Sequence, residues 1–305
     1  MDTLTHTLLG VGLARAGLAR RVGRGTTLVL ALAANLPDVD GLFARAAGIE
    51  SYLVRRVLTH SVFVVPILAA AGAGVLRIAM RRIAWRSLFG LCLLGAGVHV
   101  LFDLVNSYGV LLYAPFSRAR PELAWVFIID LAIWAMLLGP LALSAVPRLR
   151  ARSETIWRVG LAGVALYVLL CGLARARAAG LLERVEVPGG GEREFSYVFP
   201  EALGPHRFRG VIRSGGVYHL YLLHVATGRV ESRGTVVTED DDPLVQAVRV
   251  SEEGRALDAF FKAPVWRVLP DTGEVEAYDL RFRSLVLSGR RTPFVVRLTP
   301  AETNR

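Results

Sequence analysis

Cysteine is nearly absent: the 305 residues hold two, Cys92 and Cys171, in separate apolar stretches, which excludes a disulfide framework as the source of stability. Also missing are a basic leader ahead of the first apolar residues, MDTLTHTLLGVG, and a small-residue cleavage site behind them, so this segment reads as retained. No internal repeat or low-complexity tract is present. Acidic residues are scarce in the first part of the chain, where residues 1–182 carry 8 Asp+Glu against 19 Lys+Arg; residues 183–305 carry 18 against 17. No basic stripe interleaved with aromatics accompanies the surplus, so nucleic acid is not an expected partner despite a formal net charge of +10.

What is present is hydrophobicity. Apolar residues make up 53% of the chain, above the share of an ordinary soluble domain, and the arginines sit at the ends of apolar runs. That is the positive-inside pattern of a membrane protein. Thr5 to about Ala19 and Thr26 to Leu36 predict two short helices, the second ended by Pro37, because proline disfavours helix in the residue before it. A polar loop follows from Gly41 to Arg56. Val62–Leu76, Ser87–Val105, Leu123–Val146 and Val159–Ala174 are the stronger candidate spans. From Glu183 onward short alternating segments such as Val217–Leu222 and Thr292–Leu298, separated by Gly, Pro and Asp, read as strands, with a helix expected between Asp242 and Phe261. The expected fold is therefore an all-α polytopic membrane helical bundle over residues 1–182, followed by a soluble, strand-rich α+β domain over residues 183–305.

Within the apolar part stand ionisable residues that a bilayer tolerates poorly: His6, Asp38, Asp40, His60, His99 and Asp103. A charged side chain at the centre of a membrane helix costs at least ~2.5 kcal/mol. His99 and Asp103 are four apart, hence on one helix face, in a run that is otherwise apolar. Each candidate has a structural explanation when taken alone: a buried His–Asp pair linking helices, a Pro-Asp turn, a histidine near a helix start. Taken together, four separate segments place rare polar groups at one side. If the clusters Arg15/Arg20/Arg21/Arg24, Arg77/Arg81/Arg82/Arg86 and Arg148/Arg150/Arg152/Arg158 are cytoplasmic, every one of these residues, and Asp130 with them, falls on the outer side. Histidine and aspartate together suit a borderline divalent metal such as zinc, manganese or iron. Arg56 has the planar donors to clamp a phosphate, although a loop arginine is commonly just solvated.

The order Thr5-His6, Leu36-Pro37-Asp38-Val39-Asp40, Arg56, Thr59-His60-Ser61, His99-x-x-x-Asp103 with Asn106-Ser107-Tyr108-Gly109, and Pro115-Phe116-Ser117 resembles the bacterial inner-membrane metal-dependent hydrolases, the YdjM-like family, over about residues 1–130. Segments around Arg207-Phe208-Arg209-Gly210 and Asp279-Leu280-Arg281-Phe282 resemble an extension carried by some members. The chain departs from the family in having Arg55-Arg56-Val57 where His-Arg-Gly usually precedes Thr-His-Ser. The ligand order is loosely similar to that of the zinc-dependent phospholipase C and nuclease group. The resemblance implies a bacterial inner-membrane, multi-pass metallohydrolase using metal-activated water on a phosphoester of a membrane phospholipid or lipid-linked substrate. It implies metal ligands at His6, Asp38, Asp40, His60, His99 and Asp103, with Asp103 bridging two metals, and Asp130 as proton acceptor or orienting partner. The alternatives from other classes are an ion or metal transporter and a non-catalytic membrane scaffold built on the same cluster. His206, His219 and His224 read as ordinary residues of the strand-rich part, and Asp240-Asp241-Asp242 as a solvated turn.

Overall fold

The computed structural model describes residues 1–41, 58–286 and 294–299, and the chain divides into two compact units, Met1–Gly172 and Leu173–Arg305. In the first, α1 (Thr3–Leu13) begins where the Asp2 carboxylate accepts the Thr5 backbone N–H at 3.0 Å and the Thr5 hydroxyl at 2.6 Å, a side-chain cap for an otherwise orphaned donor. A π-helical turn, Ala14–Leu18, and a last turn, Ala19–Val22, continue it. Next, α2 (Thr26–Ala33) runs back and passes into a 3-10 turn, Leu36–Asp38, with Pro37 at its start. Then follow α3 (Val65–Ala79), α4 (Trp85–Val105), α5 (Leu131–Ala145) and α6 (Ser153–Glu183), the last of which belongs to the second unit from Leu173 onward.

The expectation of an all-α polytopic membrane bundle is overturned. Among the described residues two helical runs are long and apolar enough to cross a membrane, Trp85–Val105 and Pro147–Glu183. The apolar helices α3 and α5 have 15 residues each, or ~22 Å at 1.5 Å per residue, against a hydrocarbon core of ~30 Å. The physical reason is capping. Asp130 accepts the N–H groups of Ala132 and Ile133 and starts α5 there, so the first part of the apolar run Leu123–Val146 is not helical. Residues 58–64 are likewise turns, and α3 starts only at Val65, with Pro66 in its first turn. Apolar composition extends past the point where the backbone stops being a helix.

Small residues let the helices approach closely. A Cβ at Gly10 of α1 would lie 2.3 Å from the Leu30 carbonyl oxygen of α2, and one at Gly95 of α4 would lie 2.7 Å from Ala33 Cβ. Thus α2 is seated between α1 and α4 with no room for a larger side chain, the mode of packing favoured in membranes. Chain direction alternates, so the arginine-rich segments collect at helix ends away from His6, Asp38, His60, His99 and Asp103. At that end the Arg158 Nε donates to the Ala16 carbonyl at 2.9 Å, and an Arg77 guanidinium nitrogen to the Ile83 carbonyl at 2.7 Å.

The second unit contains an antiparallel sheet of β1 (Phe195–Pro200), β2 (Arg207–Ser214), β3 (Val217–His224) and β4 (Arg229–Val237), in sequential order, and a second antiparallel sheet of β5 (Pro264–Val268), β6 (Val275–Asp279) and β7 (Val295–Leu298). Between them the single expected helix is two, α7 (Pro243–Arg249) and α8 (Glu252–Phe260). The break comes at Ser251, whose hydroxyl accepts the Gly254 N–H and so caps a new helix. The two arginine motifs singled out from sequence are interior. Arg209 donates to Glu201 at 2.7 Å and to the Arg281 carbonyl at 3.1 Å, Ser284 donates to Glu201 at 2.6 Å, and Arg281 pairs with Asp279 at 3.0 Å. Asp242 caps α7, and Asp240 pairs with Arg213 and Arg249.

Gly10→Val and Gly95→Val should each lower stability by about 1–3 kcal/mol through overpacking, read as melting temperature in detergent. Gly97→Ala, whose added methyl meets no atom within 4 Å, should not. Equal melting temperatures for all three variants and the wild type would disprove the close seat of α2.

Candidate metal centre

The cluster is anchored on α4, where His99 and Asp103 lie one turn apart on the buried face with no exposed surface. Three other segments converge on them. The His60 Nε2 atom lies 3.1 Å from His99 Nε2 and 3.2 Å from Asp103 Oδ2, and His99 Nε2 lies 3.4 Å from the same carboxylate oxygen. Asp38 Oδ1, from the turn after α2, is 3.7 Å from His60 Nε2 and 3.8 Å from His99 Nε2. These four residues offer donor atoms that all lie within 4.8 Å of one another, and they form the one group of three or more potential ligands found among the described residues.

The hydrogen-bond network assigns the tautomers. His99 Nδ1 is 2.7 Å from the Ala34 carbonyl oxygen, which only accepts, so Nδ1 carries the hydrogen and Nε2 presents a lone pair to the cluster. The Thr59 hydroxyl donates to Asp40 Oδ2 at 2.7 Å and is therefore left to accept from His60 Nδ1 at 3.1 Å. His60 Nε2 thus also presents a lone pair. Two imidazole lone pairs and two carboxylate oxygens face a common centre, an arrangement that is repulsive without a cation. A proton bridges only two such atoms, whereas a metal ion serves all four. Tetrahedral coordination at ligand distances of ~2.0–2.2 Å has ligand-to-ligand edges of ~3.3–3.6 Å; the His60, His99 and Asp103 donor atoms stand 3.1–3.4 Å apart, and Asp38 stands 3.7–3.8 Å from the two histidines at the partly exposed edge. Asp38 Oδ1, buried, has no hydrogen-bond donor among the described residues. The residues therefore fit a divalent metal, with Thr59, Asp40 and the Ala34 carbonyl as the outer partners that orient histidine ligands.

His6 stacks on His99 with ring centroids 3.7 Å apart, and its Nε2 lies 3.3 Å from Asp103 Oδ1. The same oxygen meets the Met1 amino group and, at 3.3 Å, the Asn106 amide. The structure thus gathers His6, Asp38, Asp40, His60, His99 and Asp103. Asp38 and Asp40 are the edge of the cluster, with side chains 13% and 9% exposed where those of the other four are fully buried. Asp130 is not joined to them by any of its hydrogen bonds. These come from the Ala132 and Ile133 N–H groups and from the Tyr167 hydroxyl at 2.9 Å. Burial pushes the Asp130 carboxyl up from the ordinary carboxylate value, and the Tyr167 and backbone donors oppose that shift. Arg56, with its neighbours Arg55 and Val57, lies outside the described residues. His224 pairs with Glu231 at 3.2 Å.

Sequence reasoning named Thr59 and Asn106 only as members of motifs, with no role of their own, and did not single out Ala34. Thr59 stood beside a flagged histidine and carried a usable signal, a hydroxyl next to a candidate ligand. The Ala34 carbonyl carried none, because any residue supplies one. Among known proteins, the family model described as YdjM inner membrane protein matches residues 1–178, a stretch that contains the whole cluster. No curated protein and no solved structure matches the chain.

Elemental analysis of detergent-purified protein should find bound divalent metal that is lost in His99→Ala and Asp103→Ala. Thr59→Val keeps every donor and should weaken affinity by ~10–100-fold, with Thr59→Ser restoring it. Full metal retention in both ligand variants would exclude this cluster as the binding site.

Proposed function

The chain belongs to the YdjM inner membrane protein family, and from that premise we propose that it is a membrane-bound metal-dependent hydrolase acting on a phosphoester of a lipid or lipid-linked substrate. The observation that carries the reading is the convergence of His60, His99, Asp103 and Asp38 donor atoms in a buried site, held by oriented histidines. Zinc fits the mixed nitrogen and oxygen donors and the near-tetrahedral spacing, with manganese or iron as chemically similar occupants. A metal held by His60, His99 and Asp103, with Asp38 at the partly exposed edge, would supply Lewis acidity towards a phosphoryl oxygen and, at a position left to water, lower the pKa of that water towards ~7.

The chain's own residues do the rest. Ala34 and Thr59 fix the ring planes of His99 and His60, so the donor atoms need no reorganisation. Asp103 turns Oδ2 towards the two histidines and Oδ1 towards His6, the Met1 amino group and the Asn106 amide, so one oxygen is left facing the centre. Asp38 and Asp40 line the partly exposed edge, where the Asp38 carboxylate, whose Oδ1 has no hydrogen-bond donor among the described residues, would be placed to hold a proton given up by water. Asp130 holds the start of α5, whose Trp134 indole donates to Thr5 at 3.0 Å and so steadies the N-terminus of α1 near His6. With the arginine-rich helix ends cytoplasmic, the centre and residues 183–305 are extracytoplasmic, and the outward site meets lipid head groups. Concentration of the polar cluster at one end of α4, whose first half is apolar beyond Arg86 and Ser87, disfavours a transport path, which needs polar groups through the membrane depth.

Metal-loaded protein should hydrolyse bis(p-nitrophenyl) phosphate or the head group of phosphatidylglycerol in mixed micelles. Chelation should abolish turnover and zinc should restore it, and Asp38→Asn should reduce it by more than the ~10–100-fold typical of outer-partner changes. A folded, metal-loaded protein with no turnover on either substrate would favour a non-catalytic scaffold with a closed structural site.

A further inference from the structure

The segment that carries His60 and the loop after α4 together expose large apolar side chains beside the metal centre. Leu58, Val62, Phe63 and Tyr113 are about half exposed and Phe116 is 78% exposed. They form one patch: Val62 N–H donates to the Leu112 carbonyl at 3.0 Å, Ser61 Oγ donates to the Ala114 carbonyl at 2.5 Å, and the Phe63 and Phe116 rings meet edge to face at 5.1 Å. A soluble protein rarely leaves three aromatic rings and two more large side chains together in water.

Three observations say what covers them. First, α4 has 21 residues, ~31 Å at 1.5 Å per residue, so as a membrane span it reaches the two bilayer surfaces at its ends. Leu112 packs on Val100, Ala96 and Val65, which fixes the patch beside the last turns of α4 and hence near one of those surfaces. Second, the patch continues the exposed apolar stripe of α3, Ile67, Val75 and Ile78, spaced to fall on one side of a helix. Third, exposed Arg118 follows two residues after Phe116, which adds to the aromatic side chains the basic partner that lipid phosphates attract.

We infer that Leu58, Val62, Phe63, Tyr113 and Phe116 form a rim seated in the head-group layer of the bilayer, so that the metal centre opens at the depth of the lipid phosphates. Leu58, Val62 and Phe63 of the rim share the six-residue stretch 58–63 with His60, and the rim borders the side on which Thr59, Asp38 and Asp40 are partly exposed. The inference rests on the reading of a membrane protein with this centre and not on hydrolysis. A lipid substrate would then reach the ligands from within its own leaflet, without desorbing into water.

The test is nitroxide labelling of Phe63→Cys and Phe116→Cys in proteoliposomes of phosphatidylethanolamine and phosphatidylglycerol. Cys92 and Cys171 are buried, so unlabelled wild type gives the background. Collisional accessibility to oxygen and to a water-soluble nickel chelate reports depth, with Leu94→Cys in α4 and Asp241→Cys in the C-terminal unit as bilayer and aqueous references. Both rim sites should show oxygen exceeding nickel accessibility, at a depth between the references. Values matching Asp241→Cys would overturn the inference, as would protection from both reagents with label-to-label broadening, the signature of a second copy covering the rim. Melting temperature and metal content of the same variants report folding, and the readout needs no turnover, so loss of the hydrolase reading leaves this test standing.

Discussion

A carboxylate with no exposure, in the last turn of an apolar helix, is the constraint around which the first unit is organised. Burying one such charge costs several kcal/mol after relaxation unless it is matched. Asp103 Oδ1 meets the Met1 amino group and the Asn106 amide, with His6 beside it, whereas Oδ2 faces the lone pairs of His60 and His99, so the charge is fully matched only with a cation in the centre. The short helices are explained by this demand. None of α1, α2 and α3 needs to cross a bilayer to do its work; each needs to deliver one side chain to the end of α4. The close seat of α2 at Gly10 and Gly95 sets where the Ala34 carbonyl and Asp38 fall, so the packing contact and the ligand geometry are one arrangement.

How much of this was legible depended on whether the signal was local. The apolar run Ser87–Val105 reads as a helix and is one, because no cap or proline interrupts it. His99 and Asp103 read as neighbours because four residues make one helical turn. Leu123–Val146 misled, since hydropathy counts apolar side chains whereas helix length is decided by where a carboxylate such as Asp130 satisfies the free N–H groups. The same blindness merged α7 and α8 across Ser251. The Ala34 carbonyl and the Thr59 hydroxyl acquire their roles only from the meeting of segments far apart in sequence. Arg209 and Arg281 stood out only as residues of motifs shared with an extension of some family members, and the interior of the C-terminal unit uses them to pair with Glu201 and Asp279.

The exposure gradient across the cluster has a chemical reading of its own. His6, His60, His99 and Asp103 are sealed, and Asp38 and Asp40 sit at the edge. The accessible side of the cluster is therefore anionic, and it attracts cations and resists anions.

The clasp among Arg209, Glu201 and Ser284 links the end of β1 and the start of β2 to the segment that follows β6. Neither sheet can draw away from it without leaving Glu201 or Arg209 buried and unmatched, a loss of ~3–5 kcal/mol. The two sheets are thereby made to open together. Although they share no strand, they behave as one cooperative unit, and partial unfolding that frees one sheet while sparing the other is suppressed.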